Sequence, residues 1–321
     1  MSEENIKVNE EAVDEKEEKV ETPAEQKTFD QIIEEERHKL YKSYTTSRRV
    51  SNILMFATVA AICGIMFLII SKIPALRITG YALAGAILVG MIVYYLLNRK
   101  KFPNKTRDYV ALVSKTLNAE MFKNQEFKEI NSNPEEKLAM DDLVADGIYS
   151  GASGINSRNV IHGVYKNGHF LYAEAALVRP STRKQQVPPL FVGRYISIPN
   201  EMKFDGRFVF VFKNAKEPLD LPNAVSDLEV LEEKDDFVVY GPKGSNYHNV
   251  IKNDVLSQLR RIEIGGHLLN VNVVFWSGHT AVYLSYDDTI MSVPFDKPID
   301  KAGFEKSFDD LQNSFDAIAG K

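Results

Sequence analysis

Six histidines, His38, His162, His169, His248, His267 and His279, and a single cysteine, Cys63, are the side chains with most capacity for base, nucleophile or metal chemistry. No two histidines stand at the His-x-x-x-His spacing that places both imidazoles on one helix face, and one cysteine cannot build a zinc cluster. No metal and no cofactor is therefore expected. His267 and His279 flank one apolar run near opposite ends of a predicted hairpin, which leaves a convergent site open; the others read as surface or hairpin histidines. Gly147, Gly151 and Gly154 with Ser150, Ser153 and Ser157 form a small-residue cluster of the kind that can cradle phosphate. It lacks the Gly-Lys-Ser/Thr ending of a phosphate loop, and Gly151-Ala-Ser-Gly154 is one residue short of a hydrolase elbow. A loop entering a sheet is the plainer reading. The acidic pairs Asp141-Asp142 and Asp287-Asp288 are expected at a helix start and a turn, and Lys243-Gly-Ser lacks the upstream glycine of a phosphate loop.

Arg179, Arg183 and Lys184 precede Val187-Pro-Pro189 in a basic connection between two predicted strands. This loop is the candidate contact for anionic lipid or a protein partner. Two aromatic neighbours, Tyr172 and Phe191, do not make a stacking platform for nucleic acid. The net charge of −5 likewise argues against a nucleic-acid partner.

That charge is unevenly spread. Residues 1–30 hold eleven acidic and four basic side chains with few large apolar ones, so an acidic disordered tail is expected. Two uncharged apolar runs follow, Ile53–Ser71 and Ile78–Leu97. Each matches the ~20 residues that an α-helix needs to cross a bilayer. The linker Lys72–Arg77 is short and contains Pro74, which predicts an antiparallel transmembrane hairpin over 53–97 in contact with the bilayer. Ala60 and Gly64, and Ala82, Ala86 and Gly90, repeat at a spacing that lets helices approach closely within the hairpin, or between copies in a homo-oligomer. Arg37, Lys39, Lys42, Arg48 and Arg49 precede the first run; Arg99, Lys100, Lys101, Lys105 and Arg107 follow the second. Basic flanks stay inside, so the expectation is a multi-pass protein of the cell membrane with both termini cytoplasmic.

Thr28-Phe-Asp-Gln31 is a capping-box pattern that opens a juxtamembrane helix over 31–52, with Ile33, Leu40 and Tyr44 near one face. Val110, Val113, Leu117 and Met121 show similar spacing in a helical linker over 98–139. Beyond it, residues 140–321 read as one cytoplasmic domain. Strands are predicted at Val160–Tyr165, His169–Val178, Leu190–Ile198, Arg207–Val211, Phe237–Tyr240, Leu268–Trp276, Thr280–Ser285 and Ile290–Val293. Lys166-Asn-Gly168 and Ser277-Gly-His279 supply hairpin turns. Helices are predicted at Asn249–Ile262 and through Phe304, Phe308, Leu311, Phe315 and Ile318, whose alternating 4-3 spacing is amphipathic. The fold class is α+β, a largely antiparallel sheet with packed helices behind a two-helix transmembrane hairpin.

Gly163-Val-Tyr-Lys-Asn-Gly-His-Phe170 with Glu174, Pro189-Leu-Phe-Val-Gly-Arg-Tyr-Ile196, Phe237–Tyr240, Ser292-Val-Pro-Phe295 and Phe304-Glu305 together resemble a bacterial membrane-protein family catalogued as domain of unknown function 3137. The resemblance covers roughly residues 100–320. It implies a paired transmembrane segment before an α+β domain and no particular reaction. Two functions remain in view: a membrane-anchored binding or scaffolding module, and an enzyme at the inner membrane surface using His267, His279 or the 150–157 loop.

Overall fold

The computed structural model of the chain describes residues 27–70, 72–98, 101–133, 135–144, 146–149, 151–179, 188–212 and 225–319. The acidic tail thus lies almost wholly outside the described residues. Helix α1 (Phe29–Ile70) opens on the reciprocal half of the capping box: the Thr28 backbone N–H donates to Gln31 Oε1 at 3.1 Å. The helix then continues for 42 residues, about 63 Å at 1.5 Å per residue, so the expected juxtamembrane helix and first apolar run form one rod. Its first part buries Phe29, Ile33, Arg37 and Leu40 as a single stripe. From Ile53 onward most of its large apolar side chains face outward, Ile65 being a buried exception; Phe56 is 69% and Phe67 80% exposed.

Helix α2 (Pro74–Asn98) begins with proline at its first position, where the missing N–H costs nothing. Both α1 and α2 are long and apolar enough to cross a membrane. They pack closely at Gly80, where an added Cβ would lie 3.0 Å from the Ile69 side chain. Ala60, Gly64, Ala82, Ala86 and Gly90 are instead exposed, so the small-residue spacing does not mark the seam of this hairpin.

Helix α3 (Lys101–Met121) returns along α1 and buries Tyr109, Val113, Leu117 and Met121, while Val110 is exposed. The chain continues through β1 (Phe127–Asn133), α4 (Met140–Val144), β2 (Gly154–Tyr165), β3 (Gly168–Val178), β4 (Phe191–Pro199), β5 (Arg207–Phe212), β6 (Glu229–Glu233) and β7 (Phe237–Gly241). After a 3₁₀ turn at Tyr247–Asn249 come α5 (Asn253–Leu259), β8 (Leu268–Trp276), β9 (His279–Tyr286), α6 (Asp288–Ser292) and α7 (Lys301–Ile318). The strands form one antiparallel sheet in the order β1-β2-β3-β4-β9-β8-β5-β7-β6. The β2–β3 turn places Lys166 and Asn167 at φ 46° and 78°, the doubly positive geometry that matches strand twist.

Alternation along the strands divides the core. Phe208, Phe210 and Phe212 of β5 face a layer built by α1, α3, α5 and α7, whereas Val209 and Val211 face a smaller cluster with Leu138, Leu143, Ile148 and Tyr149.

Three sequence expectations change. The stretch read as a helical linker over 98–139 contains β1. Ile290–Val293 is not a strand: Asp287 accepts from the Thr289 N–H at 3.0 Å and caps α6. The helix expected from Asn249 starts only at Asn253, because Lys252 is extended (φ −70°, ψ 152°).

Candidate functional site

Helix α3 lies across β2 and β3 without closing on them, and the gap is a cavity of about 670 Å³. Tyr109, Val110, Val113 and Leu117 line it from α3, Arg158 and Asn159 from β2, Glu174 from β3, and Ile290 to Val293 from α6 and its end. The volume falls in the ~300–1,000 Å³ range of small-molecule sites, and a mostly apolar wall with a few convergent polar groups is their usual make-up.

The polar part of the wall exists because β2 is irregular. Its pairing with β3 slips between Arg158 and Ile161, and Asn159 takes a left-handed φ of 58°. A bulge of this kind re-aims side chains. Here it lets Asn159 exchange two amide hydrogen bonds with Asn118 of α3, at 2.5 and 2.7 Å. Arg158 Nε donates to Glu174 Oε2 at 2.7 Å, and its guanidinium also donates to the Met291 carbonyl. Val293, another wall residue, is left-handed at φ 38°, a conformation that a β-branched side chain adopts only under constraint. Tyr109 is 6% exposed, and its hydroxyl is buried with no hydrogen-bond partner among the described residues. Burial pushes that hydroxyl's pKa up to about 12, so the group is a neutral donor.

The two histidines singled out in the sequence do not meet. His267 precedes β8 and His279 opens β9 beyond the far end of the same hairpin, about 27 Å away at ~3.4 Å per strand residue. His267 is held between carboxylates, Nδ1 to Asp287 Oδ2 at 2.7 Å and Nε2 to Asp300 Oδ2 at 2.6 Å. The Asp287 hydrogen bond raises the imidazole pKa most; Asp300 adds to this, and burial opposes both. Those two aspartates are also the N-caps of α6 and α7, so the ring joins the start of β8 to two helix starts. His279 Nε2 bonds Asp146 Oδ1 at 2.9 Å, and Tyr283 donates to the same carboxylate at 2.7 Å. Nearby Ser277 gives its hydroxyl to the Met202 carbonyl at 3.3 Å and is not delivered to the imidazole.

Of the 150–157 cluster, Ser150 lies outside the described residues and Ser153 and Ser157 are tied into the structure around the sheet. Ser153 N–H bonds the Val178 carbonyl at 2.9 Å, and Ser157 Oγ accepts from the Leu138 N–H at 2.8 Å. Arg179 is exposed just past β3, while Arg183 and Lys184 lie outside the described residues.

Arg194 of β4 was overlooked in the sequence. It is 1% exposed, donates Nη1 to the Ser307 carbonyl at 2.9 Å, and lies 5.0 Å from the Tyr286 ring centre. Its register position beside Val192 and Ile196 gave the signal, since strand alternation places it on the apolar α7 face.

No family model matches the chain, and no curated protein sequence matches it. Among solved structures, the crystal structure of the mycobacterial trehalose monomycolate transport factor A, TtfA, aligns with a TM-score of 0.32 at 13% identity, covering 64% of this chain and 93% of that one. A likeness of that size fixes neither fold nor function.

Proposed function

We propose that the protein is a membrane-anchored binding module whose ligand site is the cavity under α3, with α1 and α2 crossing the bilayer as a hairpin and both termini in the cytoplasm. The cavity itself carries this reading: it is large, mostly apolar, and walled by a helix that leaves the membrane anchor directly. The outward apolar surface of α1 and α2 supports the bilayer as their surroundings. Among the flanking cations, Lys42, Arg48 and Arg49 are exposed on the domain side, which favours the cytoplasm there. Arg37 drops out of that set because it is buried on Glu34 at 2.8 Å. The same arrangement of paired spans before an α+β domain supports placing the chain with the family that its strand and turn patterns resemble.

Orientation is tested with Cys63 replaced and single cysteines introduced at Ala75 and Ser257. In intact cells a membrane-impermeant thiol reagent should label Ala75→Cys and spare Ser257→Cys; labelling of the second without lysis would invert the topology.

The cavity is tested with the full chain in nanodiscs of neutral lipid, using a fatty alcohol that carries a photoreactive diazirine near its tail. Cross-links are expected on the spans and also on peptides holding Val110–Leu117 and Ile290–Val293. Ser114→Trp, which fills the cavity from a half-buried position, should cut the cavity cross-links at least about fivefold. The span cross-links should not change. Labelled spans with an unlabelled cavity in the parent protein would refute the site.

A further inference from the structure

We propose that the cavity takes the acyl chain of an anionic lipid from the adjoining leaflet, with Arg107 and Lys115 at its rim holding the headgroup; this rests on the cavity being a site for an apolar chain. Two observations carry it. The first is position. Arg107 is six residues into α3, about 9 Å of helix rise beyond its start at Lys101. Lys105 bonds Ser43 of α1 at 2.8 Å, so this end of the cavity lies beside the segment where α1 approaches its apolar stretch.

The second is charge. The cavity wall carries Arg107, Lys115 and Arg158 against one carboxylate, Glu174. Glu174 is already engaged by Arg158 Nε at 2.7 Å, which leaves Arg107 and Lys115 exposed and without an ion-pair partner among the described residues. An uncharged amphiphile gives those two cations nothing to bind and a zwitterionic headgroup brings a cation of its own against them, whereas an anionic headgroup at the rim complements both.

The probes are two diazirine-bearing phospholipids with identical chains, a phosphatidylglycerol and a phosphatidylcholine, each doped into nanodiscs containing the full chain. The reading is the ratio of cavity cross-links to span cross-links, so that reconstitution cancels. At low salt the ratio should be about tenfold higher for the anionic probe, and the preference should shrink as salt is added. Arg107→Glu with Lys115→Glu should bring the anionic probe down to the level of the zwitterionic one. Equal cavity labelling by the two lipids, unaffected by the charge-reversed variant, would overturn the anionic headgroup while the cavity reading stands. A cavity labelled by neither lipid and by no fatty alcohol would remove the underlying reading as well. If the fatty alcohol enters and both phospholipids stay out, the site takes a single-chain ligand and this proposal fails.

Discussion

Gly193→Ala is expected to lose more than about 4 kcal/mol, most of the stability of a domain that has ~5–15 kcal/mol in total. Gly193 sits in β4 between two ladders, opposite Ala175 of β3 and Ser285 of β9. A Cβ built there would lie 1.9 Å from the Leu284 carbonyl oxygen and 2.8 Å from its carbon. Backbone cannot rotate aside as a side chain does, so β9 must move away and break the seven-pair register that joins the two halves of the sheet. The single tryptophan, Trp276, is in β8, the strand hydrogen-bonded to β9, and its fluorescence reports the loss during urea unfolding. Gly90→Ala, at a helical position with nothing within 4 Å, is the control and should leave the midpoint in place. A Gly193→Ala protein with the parent midpoint would show that β4 and β9 are not so closely apposed.

Local signals in the sequence gave the elements they govern directly. The Lys166-Asn-Gly and Ser277-Gly turns specify their hairpins because few residues tolerate positive φ, and Thr28-Phe-Asp-Gln31 specifies the start of α1 through its own hydrogen bond. Edge strands gave no such signal. In β1 only Phe127 is buried, and β6 has the sequence Glu-Val-Leu-Glu-Glu; neither shows the alternation that marks a half-buried strand. Charged edges of this kind also discourage pairing with another chain. At Ile290–Val293 β-branched composition pointed to a strand, and an aspartate cap three residues earlier outweighed it.

The cavity was legible only in its α3 wall, as a helical stripe. Its other side depends on a register slip near Asn159, which arises in the pairing with β3 and leaves no mark in the residues themselves. Histidine, the residue type that draws attention first, turned out to tie structure together: His267 joins two helix caps, and His279 rests on the buried Asp146.

Phe315→Ala and Phe308→Ala should separate two functions of the closing helix that its apolar spacing presents as one. Phe315 is fully buried, and its ring lies 4.9 to 5.2 Å from those of Phe127, Tyr165 and Phe170. Truncating it removes the centre of an aromatic cluster that ties α7 to β1, β2 and β3, at a cost of about 3–5 kcal/mol. Phe308 is only partly buried and packs edge-on against Phe29 of α1 at 5.6 Å. Its loss should cost less and act locally, loosening the first turns of α1, where Asp30 and Lys301 also pair at 3.1 Å. Hydrogen exchange of the full chain in detergent distinguishes the two. Phe308→Ala should speed exchange over Phe29–Leu40 and leave the sheet protected, whereas Phe315→Ala should lower protection throughout β1, β2 and β3. Uniform loss in both variants would mean that the α1 rod and the sheet unfold as one unit, and that the anchor is fused to the domain rather than docked on it.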